Sequence, residues 1–389
     1  MDGASARGGS ESDCESVVTH ASKRRSAALQ LKLARSLSAV AVLAVRGAVA
    51  TTQAWAQESR GSANDLIIRT VALTAADSAR LTRGETVVRV LRTGYDRDVA
   101  IVGAVQVAAP RSFFMDRQRD FARALRTPTR TQVQRFSDPA VIGDVQALAV
   151  SADDLKELRA CRPNDCNFKL PAADMAQFGA TIDMAGPDAR ERVAAAARQR
   201  IVEYVNDYRE RGNAAMIVYD DRGTVHSSDA FVAMLRDSSL VFSAAPSLAE
   251  YLLGYPEKAP PGVTDVIFWS RDEMPHLRPV LRITHESIVS PSDAAGSTII
   301  AAKQIYADHY FEAGLEVLAA SDRAVSGSGS PGIFLTAVRR YRFDHLPSGG
   351  LLNVRSRVIN ALRDNVAADL TRLKRESEAA WASASAERR

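Results

Sequence analysis

Residues 297–320 read STIIAAKQIYADHYFEAGLEVLAA, and the fold follows from them. Two runs, Ser297 to Ala307 and His309 to Ala320, are rich in β-branched and apolar side chains, and only Asp308 separates them. Helices need more varied punctuation and a 3.6-residue period, so the pair reads as two strands joined tightly and therefore antiparallel. Similar runs lie on either side, at Asp265 to Ser270, Pro279 to Val289 and Gly332 to Phe343. Their short connections favour an antiparallel meander. From about Gly350 the period changes. Leu352, Val358, Leu362, Val366, Leu370 and Leu373 form the apolar stripe of a long final helix. A sheet and an amphipathic helix both need a partner for their apolar side. The expected fold class is thus α+β: a curved antiparallel sheet covered by a long C-terminal helix, an arrangement that commonly leaves a cavity.

Upstream of the meander the pattern is mixed. A helix is expected over about 66–82. Thr86 to Arg92 and Asp98 to Val107 form a hairpin, and Pro110 opens a helix with Phe114, Phe121 and Leu125 on one face. The middle, about 140–260, is largely helical and reads as an insertion. Ser151 with Asp154, Asp188 with Glu191 and Ser247 with Glu250 have capping-box spacing. Gly212 is placed to end the second of these helices, and Gly254 with Pro256 the third. No internal repeat and no long linker divides residues 57–389, which are expected to form a single globular domain.

Residues 1–56 read as a secretory signal region with an over-long start. Lys23, Arg24, Arg25, Lys32 and Arg35 form a basic segment, Leu37 to Val45 an apolar one, and Ala54-Trp55-Ala56 a cleavage site before Gln57. Arg46 interrupts the apolar run, and a disordered tail with a short amphipathic helix is the competing reading. The leader holds seven of the 50 Lys/Arg and four of the 46 Asp/Glu, which leaves 43 and 42 for the rest. A nearly neutral mature chain lacks the concentrated basic face that nucleic acid requires. No other apolar run is long enough for a membrane span. The expected location is therefore exported, periplasmic or secreted. Cys161 and Cys166 flank four turn-forming residues, Arg-Pro-Asn-Asp, and an exported chain would join them as a disulfide. Free thiols or a metal pair are the alternatives; with no nearby His, two thiolates make a poor zinc site.

Three segments carry a resemblance. Arg135-Phe-Ser-Asp-Pro139, Cys161-Arg-Pro-Asn-Asp-Cys166-Asn-Phe-Lys-Leu170 and Ala302-Lys-Gln-Ile-Tyr-Ala-Asp-His-Tyr-Phe311 resemble a family of uncharacterised exported bacterial proteins, from about Glu85 to the last helix. That family implies no activity. The order of sheet and final helix also resembles, more weakly, the helix-grip fold of START-like lipid-transfer domains, which implies a helix-grip-like sheet wrapped on the last helix around an apolar cavity. The helical middle departs from that pattern and puts the size of the cavity in question.

Catalytic signatures are absent. Gly327-Ser-Gly-Ser-Pro-Gly332 matches G-x-G-x-x-G in letters but lies between strands, not before a helix. His226, His276, His285, His309 and His345 show no metal-ligand spacing, so neither a metal nor another cofactor is expected. His285 and Glu286, being adjacent on a strand, point to opposite faces. Arg339, Arg340 and Arg342 read as a solvated face. The candidate ligand-binding residues are Trp269, Lys303, Tyr306, His309 and Tyr310. Strict alternation places Gln304, Tyr306 and Asp308 on one face, and Lys303, Ile305, Ala307 and His309 on the other. Either face would give an apolar cavity a few polar groups. The expected function is non-enzymatic binding of an apolar or amphiphilic small molecule. An envelope interaction or structural protein, or a hydrolase with a dispersed site, are the alternatives.

Overall fold

The hairpin that opens the chain and the meander that closes it belong to one sheet. The computed structural model describes residues 73–388 except 121–123, 126, 128, 239–244, 274–276, 291–295, 324–330 and 347–352. The proposed leader, Phe121, His276, most of the Gly327–Gly332 loop and Leu352 lie outside the described residues. Strands β1 (Val87–Leu91), β2 (Asp98–Val107) and β3 (Arg130–Arg135) precede the helical middle. Strands β6 (Thr264–Asp272), β7 (Val280–Val289), β8 (Ser297–Ala307), β9 (Phe311–Asp322) and β10 (Ile333–Phe343) follow it. All eight join in the order β1-β2-β10-β9-β8-β7-β6-β3, antiparallel throughout. The sheet is curved and not closed.

Both ends of this order depend on long-range pairing. Strand β2 pairs with β10 from Val107↔Ile333 to Asp98↔Arg342. Strand β3, which sequence reading does not anticipate, pairs with β6 at the far edge. Its sequence, RTQVQR, has one apolar residue and stays largely exposed, as suits an edge strand.

The final helix is α8 (Val354–Ala386), started by Asn353, whose side chain accepts from the Ser356 amide. Its buried Val358, Leu362, Val366 and Leu370 recur every four residues and pack on β2 and β10. Burying each contributes about 1.5–3 kcal/mol. Gly103 of β2 lets the helix approach: a Cβ there would lie 2.7 Å from Leu370 Cδ1 and 2.8 Å from Val366 Cγ1.

The other face carries the helical middle. Helices α1 (Ala75–Thr82) and α2 (Arg111–Gln118) flank the first strands. Helices α3 (Ala152–Ala160), α4 (Ala172–Thr181), α5 (Ala189–Arg211), α6 (Ser227–Arg236) and α7 (Pro246–Gly254) follow, with the short pair β4 (Val218–Tyr219) and β5 (Val225–His226) between α5 and α6. Ser151 and Asp154 do form a capping box at α3. Asp188 makes no side-chain cap at α5, and α7 begins at Pro246, so Ser247 lies inside its first turn. Proline supplies the preset φ for that start. Gly212 ends α5 at φ +58°, where a Cβ would meet the Tyr255 carbonyl oxygen at 1.7 Å. The largest apolar cluster, including Tyr204, Val205, Tyr208, Phe231, Leu248 and Trp269, lies between these helices and the sheet.

Cys161 and Cys166 are disulfide-bonded, with Cα atoms 4.4 Å apart. Among the described residues, no helix is long and apolar enough to cross a membrane.

Candidate functional site

Strand alternation gives the sheet two chemically different faces. Under the helical middle, an apolar pocket of about 100 Å³ is lined by α3, α4, α5 and the strands β7 and β8. Leu158, Phe178, Val193, Ile201, Leu281 and Ile283 form most of its wall. Its polar groups include Arg271 and Asp154, paired at 3.9 Å. The Tyr204 hydroxyl donates to the Ile305 carbonyl at 2.6 Å, and Arg200 pairs with Asp174 at 3.1 Å. Asp308 accepts from the Leu281 amide at 2.9 Å; burial pushes its pKa up to about 6. Tyr306 lies in the wall with its ring 6.4 Å from that of Tyr204. Among the described residues its hydroxyl has no hydrogen-bond partner.

A β-bulge puts Tyr306 there. The β7–β8 register shifts between Ile283 and Thr284, so Thr284 opposes Gln304 while Ile283 opposes Tyr306. Ile305 is the extra residue, and alternation changes phase around it. The strict parity expected from sequence is therefore corrected. Lys303, Ile305 and Tyr306 all meet the helical layer, whereas Gln304 and Ala307 face α8.

The remaining sequence candidates are placed as follows. Trp269 is buried in the helical layer, with its indole N–H donated to the Asp144 carbonyl at 2.8 Å. Lys303 is wholly buried; its ammonium donates to Asn213 Oδ1 and lies over the rings of Phe231 at 4.7 Å and Tyr208 at 5.3 Å. Burial pushes its pKa down to about 7. His309 Nδ1 bonds the Asn167 carbonyl at 2.8 Å. Tyr310 occupies the β8–β9 turn at φ +61°, and its hydroxyl accepts from the Arg278 amide at 3.2 Å. Only Tyr306 of these five lines the apolar pocket.

Beside Lys303 lies a polar cluster invisible in the spacing of the sequence. His285 is the cross-strand partner of Lys303. Its Nε2 bonds Asp265 Oδ1 at 3.0 Å and its Nδ1 meets the Tyr208 hydroxyl at 3.0 Å. A carboxylate only accepts, so the imidazole proton sits on Nε2 and Tyr208 donates to Nδ1. Ser287 donates to Asp265 at 2.7 Å and stands 3.4 Å from Nε2, and Tyr251 donates to Asp265 Oδ2 at 2.6 Å. Acid, imidazole and hydroxyl thus converge, yet in an order unsuited to nucleophilic catalysis. Both imidazole nitrogens are occupied and Ser287 is oriented toward the carboxylate, whereas a nucleophile must give its proton to the base. Burial lowers the His285 pKa, against the opposing effect of Asp265. Burial works to raise the Asp265 pKa, but the hydrogen bond and charge of His285 hold it below the usual value. The cluster joins β6, β7, α5 and α7 as a satisfied polar core.

The face under α8 is built from charge. A cleft of about 170 Å³ opens between the sheet and the helix. Arg130 pairs with Asp272 at 3.0 Å, Arg282 with Asp272 at 2.7 Å and with Glu316 at 2.9 Å. Arg339 continues the chain to Glu316 at 3.4 Å and to Asp369 of α8. Burial works to raise the Glu316 pKa, but Arg339, Arg282 and Arg130 hold it far below the usual range. The solvated reading of the β10 arginines is thereby corrected, since Arg340 and Arg342 are also buried, on the opposite face, against Asp98 at 3.1 and 2.7 Å. Charges at alternate positions look like a surface in sequence; here each meets a carboxylate contributed from elsewhere in the fold.

No family model, no curated protein and no solved structure matches this chain.

Proposed function

We propose that this chain is an exported, non-enzymatic protein that binds the apolar part of a small amphiphilic molecule between β7–β8 and helices α3–α5. The observation that carries this reading is the apolar pocket itself, lined by Asp308 and by Tyr306, whose hydroxyl has no partner among the described residues. Apolar walls with a few oriented polar groups are the usual makeup of a small-molecule site. The volume limits the occupant. About 100 Å³ is below the ~150 Å³ of a cavity that accepts benzene, so the pocket takes a short chain or part of a ring and not a whole lipid. The apolar space lies on the face of the sheet opposite α8, not between the sheet and the last helix as the START-like resemblance implies. The ligand's polar end would accept from Tyr306 and, with a hydroxyl, donate to Asp308.

Export is supported by the leader-like residues 1–56 and by the Cys161–Cys166 disulfide. N-terminal sequencing of the protein recovered from its native compartment should begin at Gln57; an intact Met1 would remove this part of the reading.

Native mass spectrometry of the purified protein, followed by titration with p-cresol, tests the binding. The wild type should carry or take up one small apolar molecule. Ala197→Phe, which fills the pocket from α5, should lose it with at least a tenfold fall in p-cresol affinity. A protein that is clean and indifferent to p-cresol would overturn the proposal and favour an interaction role in the envelope.

A further inference from the structure

The cleft beneath α8 holds a carboxylate that its ion-pair network leaves out. Four arginines and five carboxylates line it. The arginines are engaged with Asp272, Glu316, Asp369 and Glu376, and Glu273 sits at the exposed rim. Glu286 is 9% exposed, and among the described residues its carboxyl group makes no hydrogen bond or ion pair. Its oxygens are not among the sealed, unpartnered atoms of the interior, so they open toward the cleft, whose wall Glu286 lines.

We infer that this cleft is a binding site for an organic ammonium: a protonated amine that donates to Glu286 and carries a short apolar body against Ile300, Leu318, Leu362 and Val366. The site lies across the sheet from the apolar pocket and stands independently of it. Complementarity selects the charge of the ligand. An ionised carboxylate accepts only, so its partner must donate. An anionic ligand would have to displace carboxylates from arginines that already hold them. A divalent metal is a poor alternative, since among the described residues no three His, Cys, Asp or Glu gather to hold one. The apolar side chains that α8 presents between the charges suit the body of an amine rather than a hydrated ion.

Proton linkage gives the site a signature. Burial pushes the pKa of Glu286 up to about 7, with Arg130 opposing and Glu316 adding to the shift. An ammonium binds the ionised form, so affinity should rise as pH passes 7 and level off above it.

Calorimetric titration of the full chain with phenethylammonium, phenethyl alcohol and phenylacetate tests the assignment, using wild type, Glu286→Gln and Ala197→Phe. The ammonium should bind wild type and Ala197→Phe alike, and Glu286→Gln at least tenfold more weakly. The alcohol and the carboxylate, which share its shape, should bind wild type at least tenfold more weakly. Wild-type affinity for the ammonium should be about tenfold higher at pH 8 than at pH 6, and this ratio decides the matter if Glu286→Gln does not fold. Equal binding to wild type and Glu286→Gln, equal binding of the alcohol, no pH dependence, or no binding at pH 8 would overturn it.

Discussion

The two faces of the sheet are made by the same strands and obey opposite rules. Toward α8, Arg282, Glu286, Glu316 and Arg339 alternate with residues that, on the other side, include Ile283, His285, Leu315 and Val338. One face balances charge against charge beneath a single long helix. The other is mainly apolar and holds its polar groups in separate small sets, Asp98 with Arg340 and Arg342, and Asp265 with Tyr251, His285 and Ser287. The energetic consequences differ in sign. A charge removed from the network strands its partners, whereas the uncompensated Lys303 already costs the fold its desolvation.

The largest effect should come from breaking the network. Arg282→Met would leave Asp272 and Glu316 without their shared partner, and should cost about 3–5 kcal/mol in chemical unfolding. A loss below about 1 kcal/mol would mean that the charged face is slack and that the contrast between the faces is only compositional.

Lys303→Met probes the opposite face and should go the other way. In the folded chain Lys303 gives up its proton near pH 7, against an ordinary value of 10.5. Between these values the unfolded chain binds the extra proton, so wild-type stability rises with pH across that window and the full penalty applies below it. Relative to Lys303→Met, the wild type should gain about 2–3 kcal/mol between pH 7 and pH 9. Parallel pH profiles for the two proteins would show that the ammonium is not desolvated.

The helical layer also has a covalent clasp that the α8 face lacks among the described residues. Replacing both Cys161 and Cys166 by Ser opens a short loop and should cost about 2 kcal/mol, read as a lower midpoint in urea. No change would show that the α3 end is held by packing alone.

The smallest effect should be the most selective. Tyr306→Phe removes a hydroxyl that has no partner among the described residues, so stability should stay within about 0.5 kcal/mol. The affinity for p-cresol should nonetheless fall several-fold. A fall in stability with no change in affinity would assign Tyr306 to the core instead of the pocket.

Much of this architecture is legible in the chain because it rests on local patterning. The runs that contain β6 to β10, the hairpin β1–β2 and the α8 stripe all announce themselves by period and punctuation. Strand β3 does not, because an exposed edge needs few apolar residues. Helix α4 is missed as well: it begins after Pro171 without a side-chain cap. The candidate site was legible only as a segment. Lys303 to Tyr310 holds buried Lys303, Gln304, Asp308 and His309, but the denser run of buried polar groups is Arg282 to Ser287 on β7, whose significance appears only when the strands lie side by side.

From sequence alone, the class of fold, the order of the β1–β2 hairpin, the closing meander and the last helix, and the helix stripe are determined, since each depends on the spacing of side chains a few residues apart. The pairing of β2 with β10 belongs to the tertiary structure, as do the bulge at Ile305 that turns Tyr306 into the pocket and the carboxylate that each arginine finds. These depend on register between segments that, for β2 and β10, lie more than two hundred residues apart, and no local period encodes register. A one-residue shift at the bulge would carry Tyr306 from the apolar pocket to the charged face.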